Sequence, residues 1–199
     1  MKRLKRLFTC IGLAATLSLA AAPVDEAEKS LQTTVNSVLE CLKNGDSKQA
    51  KRSYIMNTIN GAFDFPLMSR LSLGRESYYK LSEDEKAQYT DLYVKQLQDS
   101  YLDKLELYSN EKITFEKAST EKGKIIIPTK VLSGTETISM DYKMYKGKDG
   151  SWKIFDVVIE GISIIQTYRS QYTSILKNGT VSDLFARMKE KQNREPGKQ

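Results

Sequence analysis

Between residues 113 and 159 the apolar side chains of this 199-residue sequence return at every second position, and on both sides of that block they return at every third and fourth. A strand repeats its side-chain direction every two residues and a helix about every 3.6, so this change of period describes one block of sheet set between two groups of helices. Ile113 and Phe115 mark a first strand, residues 124–132 a second, 135–145 a third and 152–159 a fourth. In the third, Ile138, Met140, Tyr142 and Met144 share one face while Thr137, Ser139, Asp141 and Lys143 share the other, which makes the sheet one-sided. Short connections favour an antiparallel meander. Pro128 cannot donate a ladder hydrogen bond, which predicts that its strand lies at an edge or carries a bulge. Gly147-Lys148-Asp149-Gly150 lacks the spacing of a phosphate-binding loop and reads as the hairpin turn into the fourth strand.

The helices announce themselves by caps and stripes. Val24, Ala27, Leu31, Val35, Val38 and Leu42 form the stripe of a first helix that stops at Asn44-Gly45. Ser47 caps a second, with Ala50, Tyr54, Ile55 and Ile59 facing inward and an end near Asn60-Gly61. Asp64-Phe65-Pro66 opens a short third helix that Gly74 closes. Ser82 and Glu85 make a capping box for a long helix whose stripe is Tyr89, Tyr93, Leu97, Tyr101, Leu105 and Tyr108. A tyrosine-rich stripe of this kind fits a core helix and a cavity wall equally well. After the sheet, Ser163 with Gln166 repeats the capping pattern and starts a helix carrying Ile165, Tyr168, Tyr172, Ile175 and Leu176. A last helix begins near Thr180 with Val181, Leu184, Phe185 and Met188 inward. The fold class is α+β: a curved antiparallel four-stranded sheet packed with a helical layer, with helices at both chain ends.

Lys2, Arg3, Lys5 and Arg6 precede an apolar run over residues 7–19, which ends in Ala20-Ala21-Ala22-Pro23. This layout predicts a signal peptide over residues 1–22, cleaved near Ala22, and an exported mature protein. The run falls short of the roughly 18 apolar residues that span a bilayer. Residues 1–22 hold four of the basic residues, and without them 27 basic residues face 25 acidic ones, a net charge of +2 in place of +6. Since residues 187–199 alone carry five basic and two acidic groups, the body is near neutral and a nucleic-acid partner is disfavoured. Residues 23–190 read as a single domain and 191–199 as a flexible basic tail.

No histidine occurs anywhere in the sequence, which removes the Ser-His-Asp and Cys-His nucleophilic systems and most zinc sites. Cys41 is the one cysteine beyond the signal, so no internal disulfide forms, and no cofactor or metal is expected. Asp156, inside an apolar strand, requires a partner: Arg169 or the N–H groups at the following helix start. Arg169 is divided between that ion pair and an anionic group at a pocket mouth. Lys143, Lys146, Lys148 and Lys153 surround the last hairpin, where a solvated face and a phosphate-facing cluster both fit.

The segment Trp152-x-x-x-Asp156-Val157-x-x-Glu160-Gly161-Ile162-Ser163, followed by Tyr168-Arg169-Ser170-Gln171-Tyr172, resembles the signature of the MlaC family of periplasmic phospholipid-binding proteins, the toluene-tolerance auxiliary family. Phe63-Asp64-Phe65, Leu73-Gly74, Leu97 and Tyr101 extend the likeness over roughly residues 30–190. Tyr78 or Tyr79 stands where the family often has Trp after the Leu-Gly pair, and Gln166 and Tyr172 stand where Asn and Phe are frequent.

The resemblance implies an NTF2-like sheet with a helical layer, acting in the periplasm as a monomeric, non-enzymatic phospholipid carrier. Its partners would be an inner-membrane ABC transporter bearing an MCE-domain protein and an outer-membrane lipoprotein complex, in a pathway that maintains outer-membrane lipid asymmetry. Stripe and strand pattern then nominate Phe65, Met68, Leu97, Tyr101, Leu105, Met140, Tyr142, Val158, Ile165 and Tyr168 as the lipid-binding wall, with Arg169 and Asp156 as head-group contact or structural ion pair. Two alternatives remain at this level: a cavity enzyme using Asp156 and Tyr142 for proton transfer, and an exported interaction module with a solid core.

Overall fold

The computed structural model describes residues 21–106 and 111–193. The expectations for the leader, for Tyr108, for the side chain of Leu105 and for residues 194–199 lie outside the described residues. Five helices come first: α1 (Ala21–Lys43), α2 (Lys48–Ala62), α3 (Phe65–Leu73), α4 (Arg75–Tyr79) and α5 (Glu83–Glu106). The sheet follows as β1 (Lys112–Phe115), β2 (Ser119–Glu121), β3 (Lys124–Ser133), β4 (Glu136–Lys146), β5 (Trp152–Ile159) and β6 (Ile162–Ser163), and α6 (Ile164–Lys177) and α7 (Val181–Asn193) complete the domain.

The caps act where the residue types demand them. Ser47, Asp64 and Ser163 each accept the backbone N–H three residues on. At α5 the box is reciprocal: Glu85 N–H donates to Ser82 Oγ at 3.2 Å, and Ser82 N–H donates to Glu85 Oε2 at 2.8 Å. On α2, Ile55 turns inward, but Tyr54 is 50 % exposed and Ala50 is exposed as well, contrary to expectation. Only a narrow stripe of α2 meets a neighbour, because this helix pairs with α1 in a hairpin that overhangs the sheet.

The strand order is β1-β3-β4-β5-β6, with β2 also on β3. The four expected strands lie in meander order, and the correction is to their number: β2 and β6 make six. β3 is interior, against the expectation for Pro128. The Pro128 carbonyl accepts Glu116 N–H at 2.9 Å, so its nitrogen points toward the same flank, where β1 has ended and β2 has not begun. The missing donor therefore sits opposite a break in the neighbouring strand and disrupts nothing. A bulge does occur, in β5: Lys143 pairs with Asp156 but Met144 with Ile154, leaving Phe155 as the extra residue.

Behind the sheet, α3, α5, α6 and α7 share a tyrosine-rich core. Tyr93 lies edge-on to Tyr168 and Tyr89 edge-on to Tyr172, with centroids 5.4 and 6.0 Å apart. Ser72 Oγ donates to Tyr93, while Tyr172 donates to Gln96 and Tyr168 to Ser100. Burial pushes the hydroxyls of Tyr89, Tyr93 and Tyr172 well above the usual value of 10. An unfolded tyrosine ionises near 10 while these folded ones hold their protons longer, so their contribution to stability is complete below pH 10 and is lost as the pH rises further. Alkaline titration is therefore expected to give a cooperative step above about pH 10, in which tyrosinate absorbance rises together with loss of helical circular dichroism. Complete ionisation of the tyrosines with the helices intact would contradict it.

Candidate binding cavity

The inner face of the sheet follows from register. Tyr142 lies opposite Val157, Met140 opposite Ile159, and Val131 between Ile113 and Ile138. Since successive residues alternate faces, these side chains form one continuous apolar floor. The β5 bulge returns Ile154 to that floor, three residues from Val157 instead of two. Helices roof it without filling it. Leu31, Val35 and Val38 of α1, Met56 and Ile59 of α2, Phe65 and Met68 of α3, and Leu97 and Leu102 of α5 border a cavity of about 440 Å³. This volume falls in the usual range for ligand pockets. Polar wall residues are few: Thr34, Gln98, Glu111 and the tyrosines Tyr101 and Tyr142.

Of the residues nominated from the sequence, Phe65, Met68, Leu97, Tyr101, Met140 and Tyr142 line this space. Val158, Ile165 and Tyr168 do not. Val158 pairs with Asp141 on the outer face, one step out of phase with Val157 and Ile159. Ile165 and Tyr168 are buried in the helical core, Tyr168 against Tyr93, and from α6 it is Ile164 that reaches the cavity. The roof residues of α1 and α2 were missed, although the α1 stripe was itself visible in the sequence. Amphipathic spacing shows that a face is covered and not what covers it.

Asp156, 4 % exposed, is held by three groups. Ser163 Oγ reaches both of its oxygens at 3.0 and 2.8 Å, Ile165 N–H donates at 3.3 Å, and Lys143 Nζ stands 3.0 Å away. The N–H groups of the following helix are thus partners as expected, whereas the cation is Lys143 and not Arg169. The Arg169 guanidinium packs beside Gly74, 3.8 Å from where a Cβ would stand on that residue, and it is not part of the cavity wall. The enzyme alternative required Asp156 and Tyr142 together. Register instead sends them to opposite faces, because Asp156 lies across from Lys143 and Tyr142 across from Val157.

Three of the hairpin lysines have protein partners. Lys143 pairs with Asp156, Lys146 lies 2.6 Å from Glu26 and over the Trp152 ring, and Lys153 donates to the Gly61 carbonyl at 2.6 Å. The Lys146 and Lys153 contacts, with the hydrogen bond from Tyr145 to Asp64, fasten the start of α1 and the α2–α3 junction to the β4–β5 hairpin.

An α+β domain whose one-sided antiparallel sheet is roofed by helices over an apolar cavity is the framework of a binder of apolar ligands. The family model for the MlaC protein matches residues 32–190, and the chain belongs to that family. The intermembrane phospholipid transport system binding protein MlaC of Haemophilus influenzae is 28 % identical over 120 residues, 57 % of this chain and 56 % of that protein. The match thus spans little more than half the length of that relative. The fold is that of a phospholipid-binding protein from Ralstonia solanacearum, solved in complex with a phospholipid. The TM-score is 0.77 at 22 % identity, over 84 % of this chain and 97 % of that one. Among the described residues no helix is long and apolar enough to cross a membrane.

Proposed function

We propose that this protein is a periplasmic phospholipid carrier, non-enzymatic and monomeric, which shields acyl chains in the cavity between its sheet and the α1, α2, α3 and α5 helices. The observation that carries the reading is the apolar cavity itself, present in a chain of the MlaC family. At roughly 0.8 kcal/mol per buried methylene, two acyl chains of about thirty methylenes cost on the order of 20 kcal/mol to expose to water. Unassisted transfer between two membranes is blocked by that cost, and an apolar interior offsets it. Residues 1–22 would serve as the export signal and be removed. The carrier would exchange lipid with an inner-membrane ABC transporter bearing an MCE-domain protein and with an outer-membrane lipoprotein complex, maintaining outer-membrane lipid asymmetry. Phe65, Met68, Leu97, Tyr101, Met140 and Tyr142 would touch the chains.

Native mass spectrometry of the protein purified from the periplasm without detergent is expected to show a stoichiometric mass increment that extracts into organic solvent as phospholipid. A single unmodified mass that also takes up no added lipid would end this reading.

A further inference from the structure

The wall of the cavity holds a hydroxyl that none of the described residues engages. Tyr142 sits on the floor opposite Val157, and among the described residues its hydroxyl takes part in no hydrogen bond. Tyr142 is partly buried and is one of the residues that line the cavity. Other tyrosines of the interior behave differently: Tyr93, Tyr145, Tyr168 and Tyr172 each bond to a protein group. Among the described residues Tyr89 lacks a partner too, but it is enclosed in the helical core and does not line the cavity.

An apolar ligand filling this space displaces whatever water solvates the Tyr142 hydroxyl. A methylene placed there leaves a buried donor unsatisfied, whereas a carbonyl oxygen restores the bond, a difference worth roughly tenfold in affinity. We propose that the Tyr142 hydroxyl is the cavity's anchor for an ester carbonyl of the bound acyl lipid, so that the cavity selects esterified chains over plain hydrocarbon. The proposal rests on the lipid-carrier reading above. Burial alone pushes the Tyr142 hydroxyl up to about 12, which keeps it a donor throughout the physiological range. The other polar wall groups fit this role less well. Thr34 already donates to the Ser30 carbonyl at 3.1 Å, and Glu111, which accepts from Ser133, is a carboxylate that repels a carbonyl oxygen. Tyr101, the other tyrosine of the wall, is already engaged in an interaction of its own, and Gln98 is the remaining amide.

The test uses two phosphatidylethanolamines with identical saturated chains, one joined by ester bonds and the other by ether bonds, which lack the carbonyl. Protein stripped of lipid is incubated with vesicles holding both in equal amounts and re-isolated, and the extracted lipids are compared by mass spectrometry. Wild type is expected to carry the ester lipid in roughly tenfold excess, and Tyr142→Phe to carry the two alike. Circular dichroism and thermal unfolding verify that the variant is folded, and the wild-type ratio stands independently of it. Equal loading of wild type overturns the proposal. So does an ester preference that survives in Tyr142→Phe, which would move the anchor to Gln98 or elsewhere. Loading of neither lipid refutes the carrier reading itself, a result distinct from equal loading of both.

Discussion

Asp156→Ala is expected to lower the unfolding free energy by about 3 kcal/mol and the melting temperature by roughly 6–12 °C, while Asp156→Asn loses about half as much. The carboxylate joins the fourth meander strand to the first turn of α6 through Ser163 and the Ile165 N–H. Alanine leaves those donors buried without an acceptor. Asparagine keeps one oxygen in place and gives up the charge. Lys143 adds less than a fully buried partner would, because its side chain is 32 % exposed and turns to water once the pair is broken. Thermal unfolding followed by circular dichroism reads both variants, with lipid content after purification as a second readout. A melting temperature within about 2 °C of wild type for Asp156→Ala would show that the carboxylate does not hold the helix start.

Val131→Trp is expected to cut lipid loading at least tenfold while leaving the melting temperature equal or higher. Val131 lies on the floor between Ile113 and Ile138, so a larger ring at this position projects into the 440 Å³ space. In a hollow interior, cavity filling stabilises by about 0.5–2 kcal/mol. In a solid core the same indole forces neighbours off their rotamers and costs about 1–3 kcal/mol. The sign of the stability change thus separates a carrier from an interaction module with a filled core. Lost loading with unchanged or raised stability supports the cavity; lowered stability with lipid still bound would mean that the chains lie elsewhere.

Much of the fold was legible because its signals are local. Ser47, Asp64, Ser82 and Ser163 stand beside the N–H groups they cap, and the period-two run fixes which residues of β4 share a face. What was not legible depends on contacts distant in sequence. Nothing near Phe155 announces a bulge, yet that one extra residue decides that Ile154 and Val157 share the floor. Val158 was assigned to the wall by taking the wrong phase of an apolar strand in which four consecutive residues are buried, so alternation offered no guide. Lys143 was visible as one of four hairpin lysines, but choosing it over Arg169 as the partner of Asp156 required the β4–β5 register. The Lys146–Glu26 pair spans 120 positions.

That last pair reaches beyond its own small energy. Lys146 and Glu26 are each about half-exposed, so dissolved salt weakens their attraction, with a screening length of roughly 8 Å at physiological ionic strength. Burial of apolar side chains is not weakened by that screening. Raising ionic strength therefore weakens this one contact between α1 and the β4–β5 hairpin, while the buried α1 residues Ala27, Leu31 and Val35 keep the helix on the core.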